Sequence, residues 1–186
     1  MQADFAVELG KDDETLEMPW SAGADGQRYL NLKYHPDLLP EVEEAQRFPE
    51  LGEFLAAVNS QGSRFETAKC DAWISSDINA EEEIFGVPLK FGSYVDLLFS
   101  GEHRHDFCEH EQWAKRIAEL LKKAPEIPAA AEFLIRRGYY HVGGSMRPGF
   151  YLTFYLFGYG EEETQARQHW AIALKLVENA LRQLAK

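Results

Sequence analysis

This chain has few cysteines and no long run of apolar residues, and each scarcity excludes a class of protein. Its 186 residues include only Cys70 and Cys108, which form neither a CxxC pair nor a disulfide framework. No apolar stretch reaches the length of a membrane span, and the first residues lack the basic and apolar segments of a signal peptide. We therefore expect a cytoplasmic protein with no membrane partner.

Basic residues are scarce as well. The 19 lysines and arginines are outnumbered by 31 aspartates and glutamates, which gives a formal net charge of −12. Such a surface repels phosphate backbones, so we expect no nucleic-acid partner. Familiar catalytic motifs are also missing, since no GxSxG, HExxH or Walker pattern occurs.

Apolar residues are plentiful, by contrast, and their periods indicate the fold class. The composition is 45% hydrophobic and 13% aromatic, which is enough for a full core in one domain, 1–186. Two segments, 65–124 and 131–185, each show two strand patterns followed by an amphipathic helix. Trp113 and Trp170 occupy matching places in the two helices, so the pattern predicts a duplicated strand–strand–helix unit.

The predicted architecture is an α+β fold. It has an antiparallel sheet with helices on one face, built around this duplicated unit, plus an N-terminal strand and helix. Strand residues of one phase are apolar and are expected to face the helices: Ala68, Cys70, Ala72, Phe91, Val95, Leu97, Phe150, Leu152 and Phe154.

Residues of the opposite phase are aromatic with a few charges, which suits a binding surface better than a fully solvated one. We predict ligand-binding residues there: Trp73, Tyr94, Asp96, Arg137, Tyr139, His141, Tyr151, Thr153 and Tyr155. The strand phase around 133–142 is open, because Arg136 and Tyr140 are the alternative to the Arg137 set. Covering of this face by the first 60 residues is a further alternative.

A second candidate site is the stretch EHRHDFCEHEQW, residues 102–113. His103, His105, Cys108 and His110 are donors of the types that bind zinc, so they form a candidate metal site. However, Asp106 followed by Glu109 is also the pattern of a helix N-terminus. On a helix, Cys108 and His110 would point in nearly opposite directions.

These patterns favour a non-catalytic module that binds a small molecule or a second copy of itself, as a homodimer, through the aromatic sheet face. No cofactor is predicted on this interpretation. The alternative is a metal-dependent enzyme with a divalent metal at His103, His105, Cys108 and His110.

Overall fold

The computed structural model describes residues 1–21 and 28–184. These residues form six strands: β1 (Gln2–Glu8), β2 (Thr15–Met18), β3 (Phe65–Ser75), β4 (Leu89–Phe99), β5 (Ala129–Val142) and β6 (Ser145–Gly160). Four α-helices accompany them: α1 (Glu43–Arg47), α2 (Pro49–Val58), α3 (Phe107–Lys122) and α4 (Glu163–Leu184). None of the described helices is long and apolar enough to span a membrane.

The strands form one open sheet in the order β1-β5-β6-β4-β3, and β2 continues the β1 edge along β5. The four strands β3 to β6 pair antiparallel, as predicted, whereas β1 and β2 run parallel to β5 and make the sheet mixed. Each predicted unit is present as two strands and a helix, with β4 beside β6 at the centre. A common origin of the two units stays a prediction.

The helices cover one face of the sheet. Trp113, Ile117 and Leu121 of α3 and Trp170 and Val177 of α4 are buried in the main core. In both helices the buried apolar residues recur at the helical period, so α3 and α4 pack their apolar sides against the sheet. The predicted α+β class with helices on one face is confirmed.

A smaller apolar cluster lies on the opposite, helix-free face. Leu16 and Met18 of β2 pack there against Tyr140 and Tyr151, with Trp20 and Tyr29 at its margin. The N-terminal segment therefore covers one end of this face, which the sequence left open as an alternative. The other end of the face keeps half-exposed side chains.

A β-bulge changes which side chains of β3 face the helices. The register with β4 shifts between Thr67 and Cys70, so the alternation restarts after the bulge. Ala72 packs in the main core as predicted, but Ala68 packs in the cluster on the helix-free face. The prediction that Ala68 faces the helices is wrong, because one extra residue inverts the phase of the strand.

Candidate ligand site at the bulge of strand β3

Asp96 occupies the middle of the helix-free face and is only 3% exposed. Thr153 lies opposite it on β6, and the Thr153 hydroxyl donates to Asp96 Oδ1 at 2.7 Å. Arg136 Nη1 donates in turn to Thr153 Oγ1 at 3.2 Å. Glu8 and Glu14 hold that guanidinium through ion pairs of 2.7 and 2.8 Å. A relay of polar side chains thus runs from the β1 edge to Asp96.

Burial raises the pKa of the Asp96 carboxyl to about 7. The hydrogen bond from Thr153 and the nearby charges of Lys69 and Arg136 act in the opposite direction, while the Glu14 carboxylate adds to the rise. Within the described chain, Thr153 supplies the one hydrogen bond to Asp96. This carboxyl therefore changes charge near neutral pH.

A cavity of about 660 Å³ lies beside the bulge, along the outer edge of β3. Strand residues Thr67 to Cys70 form its inner wall, and the rings of Trp20 and Tyr94 border it on the helix-free side. Its other end reaches side chains that pack against the main core: Leu30, Leu32, Val42 and Leu55. The volume is in the range of small-molecule sites in proteins.

Two side chains connect this cavity with Asp96. Lys69, one of the two residues within the bulge, borders the cavity, and its charge lowers the pKa of the Asp96 carboxyl. The Tyr94 ring also borders the cavity, and burial followed by the Asp96 charge raises the pKa of its hydroxyl. A charge placed in the cavity would thus be felt at Asp96, because the intervening medium is largely protein.

The thiol of Cys70 is a third feature of the cavity wall. Burial raises its pKa to about 12, with smaller contributions from the charges of Glu44, Asp71 and Asp96. A thiol in this state is a poor nucleophile at neutral pH, because the thiolate is the reactive form. Cys70 therefore serves as part of the wall and as a site for chemical probes.

The outer edge of β3 is capped by side chains around the cavity. Trp20 Nε1 donates to Ala68 O at 2.9 Å, and Thr67 N donates to Asn59 Oδ1 at 3.1 Å. Lys33 Nζ donates to Phe65 O at 2.8 Å. Because these backbone groups are already paired, the edge does not offer a template for an added strand here. Recognition in the cavity has to come from side chains.

Six of the nine predicted ligand-binding residues share the helix-free face, but they divide into three environments. Tyr94 borders the cavity, whereas Asp96 and Thr153 lie behind its wall. Tyr151 is fully buried beneath the N-terminal segment. Trp73 and Tyr155 are half-exposed outside the cavity.

The other three, Arg137, Tyr139 and His141, do not belong to this face. Phe133 and Ile135 pack against the helices, so β5 has the alternative phase. Arg136 and Tyr140 lie on the helix-free face instead, the first bonded to Thr153 and the second packed on Tyr151. The predicted phase was wrong because both sides of β5 are apolar: Leu134 and Tyr140 are as buried as Phe133 and Ile135.

Four half-exposed rings lie on the same face beyond the cavity and are called the aromatic quartet: Trp73, Tyr94, Tyr155 and Phe157. Their neighbouring centroids are 5.9 to 6.5 Å apart. Gly92 forms the floor between Trp73 and Phe157, since a Cβ at Gly92 would come within 3.0 Å of both rings. Tyr94 alone belongs both to the quartet and to the cavity wall.

The four predicted metal ligands do not converge. His103 Nδ1 contacts Glu109 Oε2 at 2.6 Å, while His105 Nδ1 donates to Pro148 O at 2.6 Å. Cys108 is exposed, and His110 is buried with its Nδ1 donating to Asp106 O at 2.7 Å. Among residues 1–21 and 28–184, no group of three His, Cys, Asp or Glu side chains is placed to hold a metal ion.

The helix start explains this dispersion. Asp106 is the N-cap of α3, as the sequence predicts, and its carboxylate accepts from Glu109 N at 3.2 Å. Cys108 and His110 are then second and fourth residues of the helix and point away from each other. Burial between aromatic rings lowers the pKa of His110, which is typical of a core histidine.

Comparison with protein-family models, with curated proteins and with solved structures finds no match to this chain. The geometry of the site is thus the basis for assigning a function.

Trp20, Arg28, Leu30, Leu32 and Glu44 are cavity residues that sequence patterns did not single out. All of them come from the N-terminal segment, which lies far from β3 in the sequence. No local period marks them, because their common property is contact with a strand edge that forms only in the folded chain.

Proposed function

We propose that this protein is a non-catalytic module that binds a small molecule in the cavity at the β3 bulge. The observation that supports this most directly is the pairing of an open cavity with a buried carboxyl, Asp96, whose pKa is raised to about 7. Perturbed carboxyls beside a cavity are enriched at functional sites. The bulge supports the same assignment, because bulges often lie next to binding sites.

The raised pKa also shows that Asp96 is costly to the fold. Its carboxyl is destabilised as an anion by burial, and a neutral side chain of similar shape would avoid that cost. A residue that lowers stability is commonly kept for function. The charges of Asp96 and of the cavity residue Lys69 influence one another, and Asp96 also raises the pKa of the Tyr94 hydroxyl, which supports a coupling between this costly group and a ligand in the cavity.

Chemical modification of the neutral Cys70 thiol provides a test that can be run before the ligand is identified. In a Cys108→Ser variant, Cys70 is the remaining thiol, so modification by an organomercurial, which displaces the proton of a neutral thiol, reports access to the cavity. We expect a subset of small fragments from a mixed library to slow this reaction. If no fragment protects Cys70, the cavity does not bind small molecules and the proposal fails.

Two tyrosines form a matched pair for locating the bound fragments. Tyr94 borders the cavity, whereas Tyr155 is its neighbour in the aromatic quartet outside the cavity, with ring centroids 5.9 Å apart. Ligand-observed NMR should show binding of the protecting fragments lost in Tyr94→Ala and kept in Tyr155→Ala. Equal loss in the two variants would move the site to the open sheet face.

The alternative of a metal-dependent enzyme lacks a corresponding geometry. His103, His105 and His110 contact different partners, Cys108 is exposed, and the His103 ring pairs with the Glu109 carboxylate. Homodimerisation is the second candidate function. The half-exposed aromatic quartet favours it, because contiguous rings on an open sheet face are typical of protein interfaces.

A further inference from the structure

The charged side chains of the cavity are divided by sign between its two sides. Lys69 lies on the helix-free side, with its ammonium 5.2 Å from the centroid of the Trp20 ring, and Arg28 borders the cavity with it. Glu41, Glu43 and Glu44 border the opposite side, where the chain enters α1 and Val42 packs toward the main core. Lys69 and the three glutamates therefore border different sides of the cavity.

These five side chains form no ion pair with any described residue, although eleven ion pairs occur elsewhere in the described chain. Because these side chains are not paired with one another, both signs of charge are available to a ligand in the cavity. Charges of opposite sign held apart across a largely protein-lined space attract a ligand that carries both signs. The apolar residues and rings between them suit a hydrophobic body.

We propose that the ligand is amphoteric: a small molecule with a carboxylate and an ammonium group joined to an apolar body, as in amino acids and short peptides. Its carboxylate contacts Lys69 and Arg28, and its ammonium group contacts Glu44 and its neighbours. The apolar body lies against Trp20 and Tyr94. This assignment rests on the proposed function of the same cavity and specifies the chemistry of its ligand.

Ligands with a single charge fit this distribution less well. A simple amine would gain the contact with Glu44 but would meet Lys69 and Arg28 with no compensating anion. A simple carboxylate would meet the three glutamates in the same unfavourable way. Strand addition by a long peptide is disfavoured, because side chains already cap Phe65 O, Thr67 N and Ala68 O.

Three probes with one common body test this chemistry: L-phenylalanine, phenethylamine and hydrocinnamate. The last two lack the carboxylate and the ammonium group, respectively. Isothermal titration calorimetry should show L-phenylalanine binding about tenfold more tightly than either analogue, since one charged contact contributes on the order of a factor of ten. Equal affinity of L-phenylalanine and either analogue would overturn the amphoteric assignment.

Two substitutions assign each charge to its wall. Lys69→Met keeps the side-chain stem over Trp20 and removes the charge, so the preference for L-phenylalanine over phenethylamine should fall, with Arg28 supplying what remains. Glu44→Gln should lower the preference over hydrocinnamate in the same way. Glu53→Gln is the matched control, since Glu53 is exposed on α2 away from the cavity and should leave both ratios unchanged. Unchanged ratios in the first two variants would also overturn the assignment.

The outcomes separate this inference from the proposed function. Absence of binding by all three probes would reject the amphoteric ligand, yet protection of Cys70 by other fragments would still establish a small-molecule site. Absence of any protecting fragment would reject both.

Discussion

Asp96 shows how much a single residue can depend on its surroundings. The strand period places it with Tyr94 on one face, and the structure agrees. Its neighbours could not be inferred from the sequence, because they lie on other strands. Asp96 accepts a hydrogen bond from Thr153, and Arg136 supports that threonine. The contact depends on the pairing of β4 with β6.

Asp96→Asn should stabilise the protein at neutral and alkaline pH. The pKa of Asp96 is about 7 in the folded chain and 3.8 without the fold, so the folded state binds the proton more tightly. This tighter binding contributes stability that is complete below about pH 4 and is lost as the pH rises through 7. Asparagine removes the cost of the buried anion and can still accept from Thr153.

Urea denaturation across this pH range is the measurement. The free energy of unfolding of Asp96→Asn should exceed that of the wild type above pH 7 by up to about 4 kcal/mol, at 1.36 kcal/mol per pKa unit. The difference should shrink as the pH falls toward about 4, where both side chains are neutral. A difference that does not vary with pH would contradict the raised pKa.

At the scale of elements, the contact of α4 with β6 depends on glycine. A Cβ at Gly158 would collide with the backbone of α4 at Ala166 and Trp170, which cannot move aside. Trp170 is fully buried there and donates to Ser93 Oγ at 2.8 Å. The missing side chain of Gly158 thus lets the helix approach the sheet closely.

Gly158→Ala should therefore destabilise the fold by about 3 kcal/mol or more, because the added methyl group overpacks a rigid contact. Thermal unfolding followed by circular dichroism measures this effect. Gly62→Ala is the matched control, since a Cβ there meets nothing within 4 Å. It should change the free energy of unfolding by less than about 0.5 kcal/mol. Similar losses in the two variants would exclude close packing as the cause.

The start of α3 is an element that local chemistry specifies. Asp106 and Glu109 predict the N-cap, and the structure has it at that residue. The same helix start disperses the histidines, so the local rule also accounts for the separation of the predicted metal ligands. No local sequence pattern marks the bulge in β3, because the alternation of Ala68, Cys70 and Ala72 continues through it in the sequence.

For the whole molecule, the association of the helix-free face with a second copy stays a prediction. Its exposed part is the aromatic quartet, and its other end is covered by β2 and Trp20. We expect light scattering to give the mass of two chains, because burying four half-exposed rings favours association. Trp73→Ser with Phe157→Ser should return the mass to that of one chain.

Dissociation of the dimer in this double variant can be distinguished from unfolding and from loss of the ligand site. Neither Trp73 nor Phe157 borders the cavity, so the double variant should keep fragment protection of Cys70. A monomeric wild-type protein at high concentration would reject the homodimer. A variant that loses its circular dichroism signal would show that the rings support the fold instead.

The sequence by itself determined the secondary structure of the second half, the α+β class, the stripes of α3 and α4 and the cap at Asp106. These features depend on periods and on contacts within a few residues, which the chain carries locally. Tertiary structure decided the phase of β5, since both of its sides are apolar, and it decided the side of Ala68, since a bulge inverts it. Tertiary structure also determined where the candidate ligand site lies. The cavity joins β3 to an N-terminal segment distant in sequence, and such contacts exist only once the sheet has formed.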